Sequence, residues 1–278
     1  MRRVPAGREG RSPWTRSHAA SGGLLIMNAD DWGRDPETTD KAFECARRRA
    51  ISAVSAMVFM ADSERAARIA RDHGIDAGLH LNLTTPFSSP RCSERLRERQ
   101  QRLGRHLQRH RLSPIVFHPG LGRTFRDVVA AQLDEFRRLY ETEPERVDGH
   151  HHMHLCANVV LAGLLPAGSL VRRSFSFAFG EKSLGNILYR RSVDWLLLRR
   201  HRLVDFFFSL PPPEHAGRLA RVSMLARQFV VEVETHPIND DEYRFLTEGH
   251  VFRWADGVRI GPPSAIAWRG PGQPAARR

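Results

Sequence analysis

The chain has 278 residues, of which 41% are apolar, and this suits one large domain with a sizeable core. No apolar run approaches the roughly 20 residues of a bilayer span, and none of signal-peptide length precedes Gly22, so neither a transmembrane segment nor a secretory signal is expected. The formal net charge is +12, but only Lys41 and Lys182 among 43 basic residues are lysine; the arginines are spread along the whole chain rather than clustered with aromatics, which argues against a nucleic-acid partner.

Residues 1–22 carry Arg2, Arg3, Arg8, Arg11 and Arg16 and are expected to be a disordered basic extension. Gly23 to Met27 reads as a strand. Glu37 to Arg49 reads as a helix, with Asp35 as N-cap and Pro36 at its first position. A second strand is predicted from Ile51 to Phe59, and a helix from Ser63 to His73 that Gly74 stops. Asp76 to Leu83 alternates like a strand. The basic run from Arg91 to Arg111 contains an amphipathic, solvated helix from Arg95, and Thr124 to Tyr140 has apolar residues at helical spacing. Val147 to Gly149 is a short strand candidate, followed by a helix from Asn158 to Leu165. Ser169 to Arg172 and Leu203 to Phe208 read as strands around a helix from Ser183 to His201. A helix from Glu214 to Ala226 and a buried strand from Phe229 to Glu234 close the series. Residues 259–278, rich in Pro, Gly and Ala towards the end, are expected to be a loose tail behind a catalytic domain at 23–258.

Strand-helix alternation without a Gly-rich dinucleotide fingerprint implies parallel strands with helical crossovers. The fold class expected is α/β, an irregular, TIM-barrel-like (β/α) barrel. Cys45, Cys92 and Cys156 form no C-x-x-C pair, so neither a disulfide framework nor a zinc ribbon is expected, and a reducing cytoplasm is the expected location.

Four polar clusters each follow a predicted strand, and in a parallel barrel such strand ends converge on one face. In Asn28-Ala29-Asp30-Asp31, adjacent carboxylates repel unless a cation or proton relieves them. One could ligate an ion while the other takes a proton from water; the plainer alternative is a capping turn. His80 shares a strand face with Asn82 and Thr84 and is either a core histidine or a ligand. Asp148-Gly149-His150-His151-His152-Met153-His154 puts four histidines in five residues, and neutral imidazole is the commonest metal ligand. In an extended segment His150, His152 and His154 would share a side, and Asp148 could orient a histidine from behind. His236 ends the last strand, where a general acid could stand.

These four clusters, in this order, resemble the YdjC-like carbohydrate deacetylase family, which includes chitooligosaccharide deacetylases and relatives associated with hopanoid biosynthesis genes. The resemblance runs from Leu24 to Pro237. It implies a barrel-like fold and a divalent ion, usually magnesium, held by Asp31, His80 and His150. It implies Asp30 as base, His236 as acid and Arg172 at the substrate, with Arg173 competing for that role; Asn82 and His152 are further candidate substrate contacts. Trp32 stands where the family usually has phenylalanine, and the region from Ser174 to Pro213, with Phe175, Phe177 and Phe179, has no match in the chitooligosaccharide enzymes.

The expected activity is metal-assisted removal of acetyl from an N-acetylated amino sugar or a related glycan or glycolipid. Zinc is the alternative ion, because imidazole is a borderline-soft ligand. A phosphoesterase on a similar barrel and a non-enzymatic binder of anionic polymers are the rival readings. A small acetylated sugar is the expected partner, and a homodimer is compatible with the sequence.

Overall fold

The computed structural model describes residues 23–177, 180–212 and 215–268; the predicted basic extension and Phe179 lie outside them. The chain runs β1 (Leu24–Trp32), α1 (Pro36–Arg47), β2 (Ala53–Ala56), α2 (Ser63–His73), β3 (Ala77–Leu81), α3 (Glu94–Arg109), α4 (Gly122–Tyr140), β4 (Arg146–Gly149), α5 (Ala157–Leu161), β5 (Leu170–Val171), α6 (Leu184–Leu198), β6 (Phe206–Ser209), α7 (Ala216–Ala226), β7 (Val230–Thr235), α8 (Asp240–Thr247) and α9 (His250–Trp254). All strand pairings are parallel, in the order β5-β4-β3-β2-β1-β7-β6. The sheet curls until its edges meet: Leu170 of β5 forms a parallel bridge with Arg202, ahead of β6, and Ser176 donates its N–H to Phe207. The expected α/β barrel is thus present in irregular form, closed by a few bonds at one seam.

Local chemistry explains the helices around it. The Asp35 carboxylate caps α1 by accepting from the Thr38 N–H at 2.8 Å, with Pro36 at the first helical position. Gly74, left-handed at φ 63°, ends α2 where the sequence predicted. Phe125, Val128, Val129, Leu133 and Phe136 bury one face of α4 in the main core. Among the described residues no helix is long and apolar enough to cross a membrane.

The barrel interior has two layers. Leu24, Ile26, Ala53, Leu170, Val204 and Val230 fill one end, plugged by Ile266 and partly buried Trp268. The stretch expected to be loose from residue 259 therefore runs otherwise as far as 268: Leu25 exchanges backbone hydrogen bonds with Arg259 and Gly261, and Ile266 is buried. The other end, at the C-termini of the strands, is polar.

Candidate metal centre

The strands place alternate residues inside the barrel. Asn28 and Asp30 come from β1, Ser55 from β2, His80 from β3, Arg146 and Asp148 from β4, Arg172 from the end of β5, and Glu232 and Glu234 from β7; all are buried. Gly78 makes room for this layer, because a Cβ there would stand 2.9 Å from the Arg146 guanidinium. The layer is fully cross-linked. Asn28 donates to Asp30 at 2.6 Å and to Ser55 at 2.7 Å. Ser55 donates to Asp148 at 2.5 Å, and Arg146 reaches both at 2.9 and 3.1 Å. Arg172 grips both oxygens of Asp30 at 2.6 and 2.8 Å and touches Glu232 at 2.8 Å, Asp148 at 2.9 Å and Glu234 at 3.2 Å.

Asp31 breaks the alternation. Between the paired positions Ala29↔Val54 and Trp32↔Ala56, β1 holds one residue more than β2. Asp31 has a left-handed φ of 64°, a conformation aspartate tolerates better than most residues. Such a bulge re-aims a side chain. Trp32 consequently packs into the outer helical layer, donating its indole N–H to Ala66, while Asp31 turns to the barrel mouth beside Asp30.

There, Asp31 Oδ1 lies 2.8 Å from His150 Nδ1 and 3.3 Å from His80 Nε2. Arg34 holds the other oxygen at 2.8 Å and also reaches Asp35 and Thr38. One ligand atom from each of Asp31, His80 and His150 falls within 4.8 Å of the others, and Asp30, His80 and Asp148 meet the same limit. His80 thus stands between the two aspartates. Its Nδ1 lies 2.7 Å from Asp148 Oδ1, which fixes the proton of a neutral imidazole on Nδ1. Nε2 then points a lone pair at a carboxylate oxygen, an arrangement that needs a cation or a proton between them. The donor set of one carboxylate and two imidazoles fits a divalent metal ion.

Charge points the same way. Among the described residues, buried Asp30, Asp148, Glu232 and Glu234 share the guanidiniums of Arg146 and Arg172 within the barrel, and Asp31 at the rim meets Arg34. Burial would push the His80 imidazolium pKa down, but Asp30 and Asp148 outweigh it and raise it to about 10. Burial likewise opposes ionisation of Asp31, yet His150 and His80 hold its carboxyl well below the usual range. Asp30 is lowered against its burial by Arg172 and His80. Glu234 goes the other way, pushed up by burial and by Asp30.

The histidine run departs from the expected extended segment. After β4 the chain tightens into a 3-10 turn from His150 to Leu155, with His151 at φ 54° and His152 at φ 57°. The side chains therefore diverge. His150 meets Asp31, and His151 meets the Thr84 hydroxyl at 3.0 Å. His154 is buried against the Arg172 carbonyl at 2.9 Å, in space that a Cβ on Gly149 would crowd at 3.0 Å. His152 packs edge-on to Phe175, with its Nε2 3.7 Å from Glu234; burial, then Arg172, lowers its pKa to about 3, so it is neutral.

Three other expected placements differ. Asn82 is fully buried, and its side chain caps a turn by accepting from the Thr84 and Thr85 N–H groups, which removes it from any substrate. Arg172 is also fully buried and spends its guanidinium on carboxylates. Arg173 pairs with Asp194 of α6 at 2.7 Å. His236, after β7, is half-buried; its backbone N–H is fixed by Glu242 of α8 at 2.7 Å and its imidazole makes no hydrogen bond among the described residues. Sequence reasoning passed over Arg34, Ser55 and Arg146. Arg146 was accessible, because it stands two residues before Asp148 and so shares its face; Arg34 and Ser55 had no comparable signal.

Comparison with known proteins adds an independent line. The model of a family described as YdjC-like protein matches residues 24–243. The chain belongs to the YdjC-like family. It is 32% identical over 150 residues to a carbohydrate deacetylase of Mus musculus, covering 49% of this chain and 44% of that protein. It is 30% identical over 136 residues to a chitooligosaccharide deacetylase of Serratia marcescens, covering 48% and 51%. The matched segment thus spans about half the length of these curated relatives. A solved structure from Enterococcus faecalis V583, provisionally named for cellobiose-phosphate cleavage, superposes with a TM-score of 0.63 at 16% identity over 89% of this chain and 100% of that one, a likeness of fold. The YdjC-like match spans every strand and every residue of the centre described above.

Proposed function

We propose that this YdjC-like protein is a metal-dependent deacetylase that hydrolyses the acetamido group of an N-acetylated amino sugar. The observation that carries the reading is the meeting of Asp31, His80 and His150 at one point beside a second carboxylate, Asp30. The names of the deacetylase relatives support it.

Asp31, His80 and His150 would hold the ion. Bound there, a divalent metal supplies Lewis acidity to a water and to the acetyl carbonyl. Asp30, kept ionised by Arg172 and His80, accepts the proton of the attacking water. Arg172 fixes both oxygens of Asp30 and so sets the direction of that transfer. Asp148 holds His80 in the tautomer that frees Nε2. His236, at the rim, delivers a proton to the departing amine. His152, neutral and beside Phe175, lines the way in and is the remaining candidate for touching the sugar. The products are acetate and a free amino sugar.

Two imidazoles favour zinc on donor chemistry, whereas family resemblance favours magnesium; elemental analysis of protein purified without added metal decides. Three buried free cysteines fit a reducing cytoplasm, and gel filtration tests for the homodimer. The phosphoesterase reading finds no free arginine at the centre among the described residues, since Arg34, Arg146 and Arg172 are committed to carboxylates. An acetate-release assay across N-acetylated sugars, with and without chelator, tests the proposal. Phosphate release in place of acetate, or turnover indifferent to chelator, defeats it.

A further inference from the structure

The helix α6 carries apolar residues on its outer as well as its inner face. Asp194, its one carboxylate, is buried against Arg173 and the Ser174 N–H, and with Val193 and Leu197 it faces the barrel. The opposite face carries Leu184 (70% exposed), Leu188 (62%) and Trp195 (52%), while Tyr189 (41%) lies at its flank. The spacing from Leu184 to Leu188 and on to Trp195 follows one side of an α-helix. Arg191 and Arg199 share this exposed side; Arg199 lies over the Trp195 ring at 5.1 Å. Neighbouring α5 adds Leu161, 58% exposed. The nearest acid before the helix, Glu181, is engaged with Arg218 and Arg221. An exposed stripe of leucine and tryptophan, flanked by arginine and carrying no exposed carboxylate among the described residues, costs solubility unless something covers it.

Charge decides what fits. A second copy seated on this face by two-fold symmetry would set arginines against arginines. Nucleic acid would satisfy the arginines but leave the leucines in contact with a charged backbone. The headgroup region of an anionic bilayer satisfies both at once, with apolar side chains reaching the acyl boundary and guanidiniums meeting lipid phosphates. We infer that α6 is a peripheral membrane-binding helix, docking the protein on anionic phospholipid. The helix starts at the same end of the barrel as the metal centre, because it follows the C-terminal end of β5. The inference does not depend on the reaction performed inside.

The test is co-sedimentation of the full-length protein with vesicles of mixed phosphatidylcholine and phosphatidylglycerol, beside vesicles of phosphatidylcholine alone. The expected result is binding to the anionic vesicles, weakened by salt. The doubly substituted Leu188→Glu, Trp195→Glu protein should bind on the order of tenfold less or worse. Both positions are exposed, and matching circular dichroism would confirm the fold; should that pair fail to fold, Arg191→Glu with Arg199→Glu replaces it and is expected to show the same loss. No binding of the unsubstituted protein overturns the inference. So does equal binding by the variants, which would move the contact to another basic part of the chain. A dimer that the variants dissociate in gel filtration overturns it as well, since the face would then join two copies.

Discussion

Arg172 holds both carboxylate oxygens of Asp30, at 2.6 and 2.8 Å, from inside the barrel and without access to solvent. The pair is a fork gripping a carboxylate, a geometry that lysine cannot reproduce. Arg172→Lys should fold and bind metal, yet lower kcat by roughly 10²-fold through loss of orientation. Arg172→Met should fare worse, because it strands buried carboxylates; a loss of about 3–5 kcal/mol is expected in urea unfolding. Wild-type kcat in the lysine variant would remove Arg172 from the account.

The two neighbouring aspartates should separate in their effects. Asp31→Ala and His150→Ala should each abolish both metal content, read by elemental analysis, and turnover. Asp30→Asn should retain the metal while kcat falls about 10²–10⁴-fold, the usual share of a positioned general base. Loss of metal from Asp30→Asn would mean that the two roles are exchanged.

Metal binding should release a proton. In the metal-free protein the His80 pKa is raised to about 10, so near neutral pH the ring is an imidazolium. Ligation through Nε2 requires the neutral ring, and the proton must leave. The sign follows: affinity should climb with pH up to about 10 and flatten above it. Calorimetry in buffers of different ionisation enthalpy should find about one proton released per ion; none released would show that His80 is not a ligand.

His236 should matter in proportion to the basicity of the leaving group. His236→Gln should slow hydrolysis of acetamido sugars by roughly 10²-fold, the lower end for a general acid. Hydrolysis of p-nitrophenyl acetate, whose leaving group needs no proton, should be nearly unchanged. Equal losses on both substrates would exclude the role of acid.

Gly78→Ala should destabilise the fold, because its Cβ would meet the Arg146 guanidinium at 2.9 Å and backbone at the same distance. A loss of about 1–3 kcal/mol is the usual cost of such overpacking, visible as a lower urea midpoint with unchanged slope. An unshifted midpoint would show that Arg146 moves aside freely.

Much of this was legible in the sequence where one local rule decides one element. Asp35 with Pro36, and Gly74, mark helix ends by capping chemistry alone, and the apolar spacing within Thr124 to Tyr140 identifies α4. The strand β1 was cut short at Met27 because Asn28, Asp30 and Asp31 look like a loop; a strand whose inner face carries a charged network has the composition of a turn. The short helices α8 and α9 were missed because they span little more than a turn or two. The histidine run misled because its geometry depends on two left-handed residues that are not glycine, which no period reveals. Asp31, His80 and His150, which the structure brings within reach of one another, were named from the sequence; Ser55 was not, because its contacts join distant strands, and Arg34 was not, because its grip on Asp31 depends on the irregular turn after β1.

The extra residue in β1 also has a bearing on how this site tolerates change. Asp30 and Asp31 owe their shared orientation to a single uncompensated step in the pairing of β1 with β2. Deleting Ala29 would iron that step flat. The sheet would survive, but only one carboxylate would then look into the mouth, and its neighbour would be swung among the outer helices. The segment must keep its length as well as its two carboxylates.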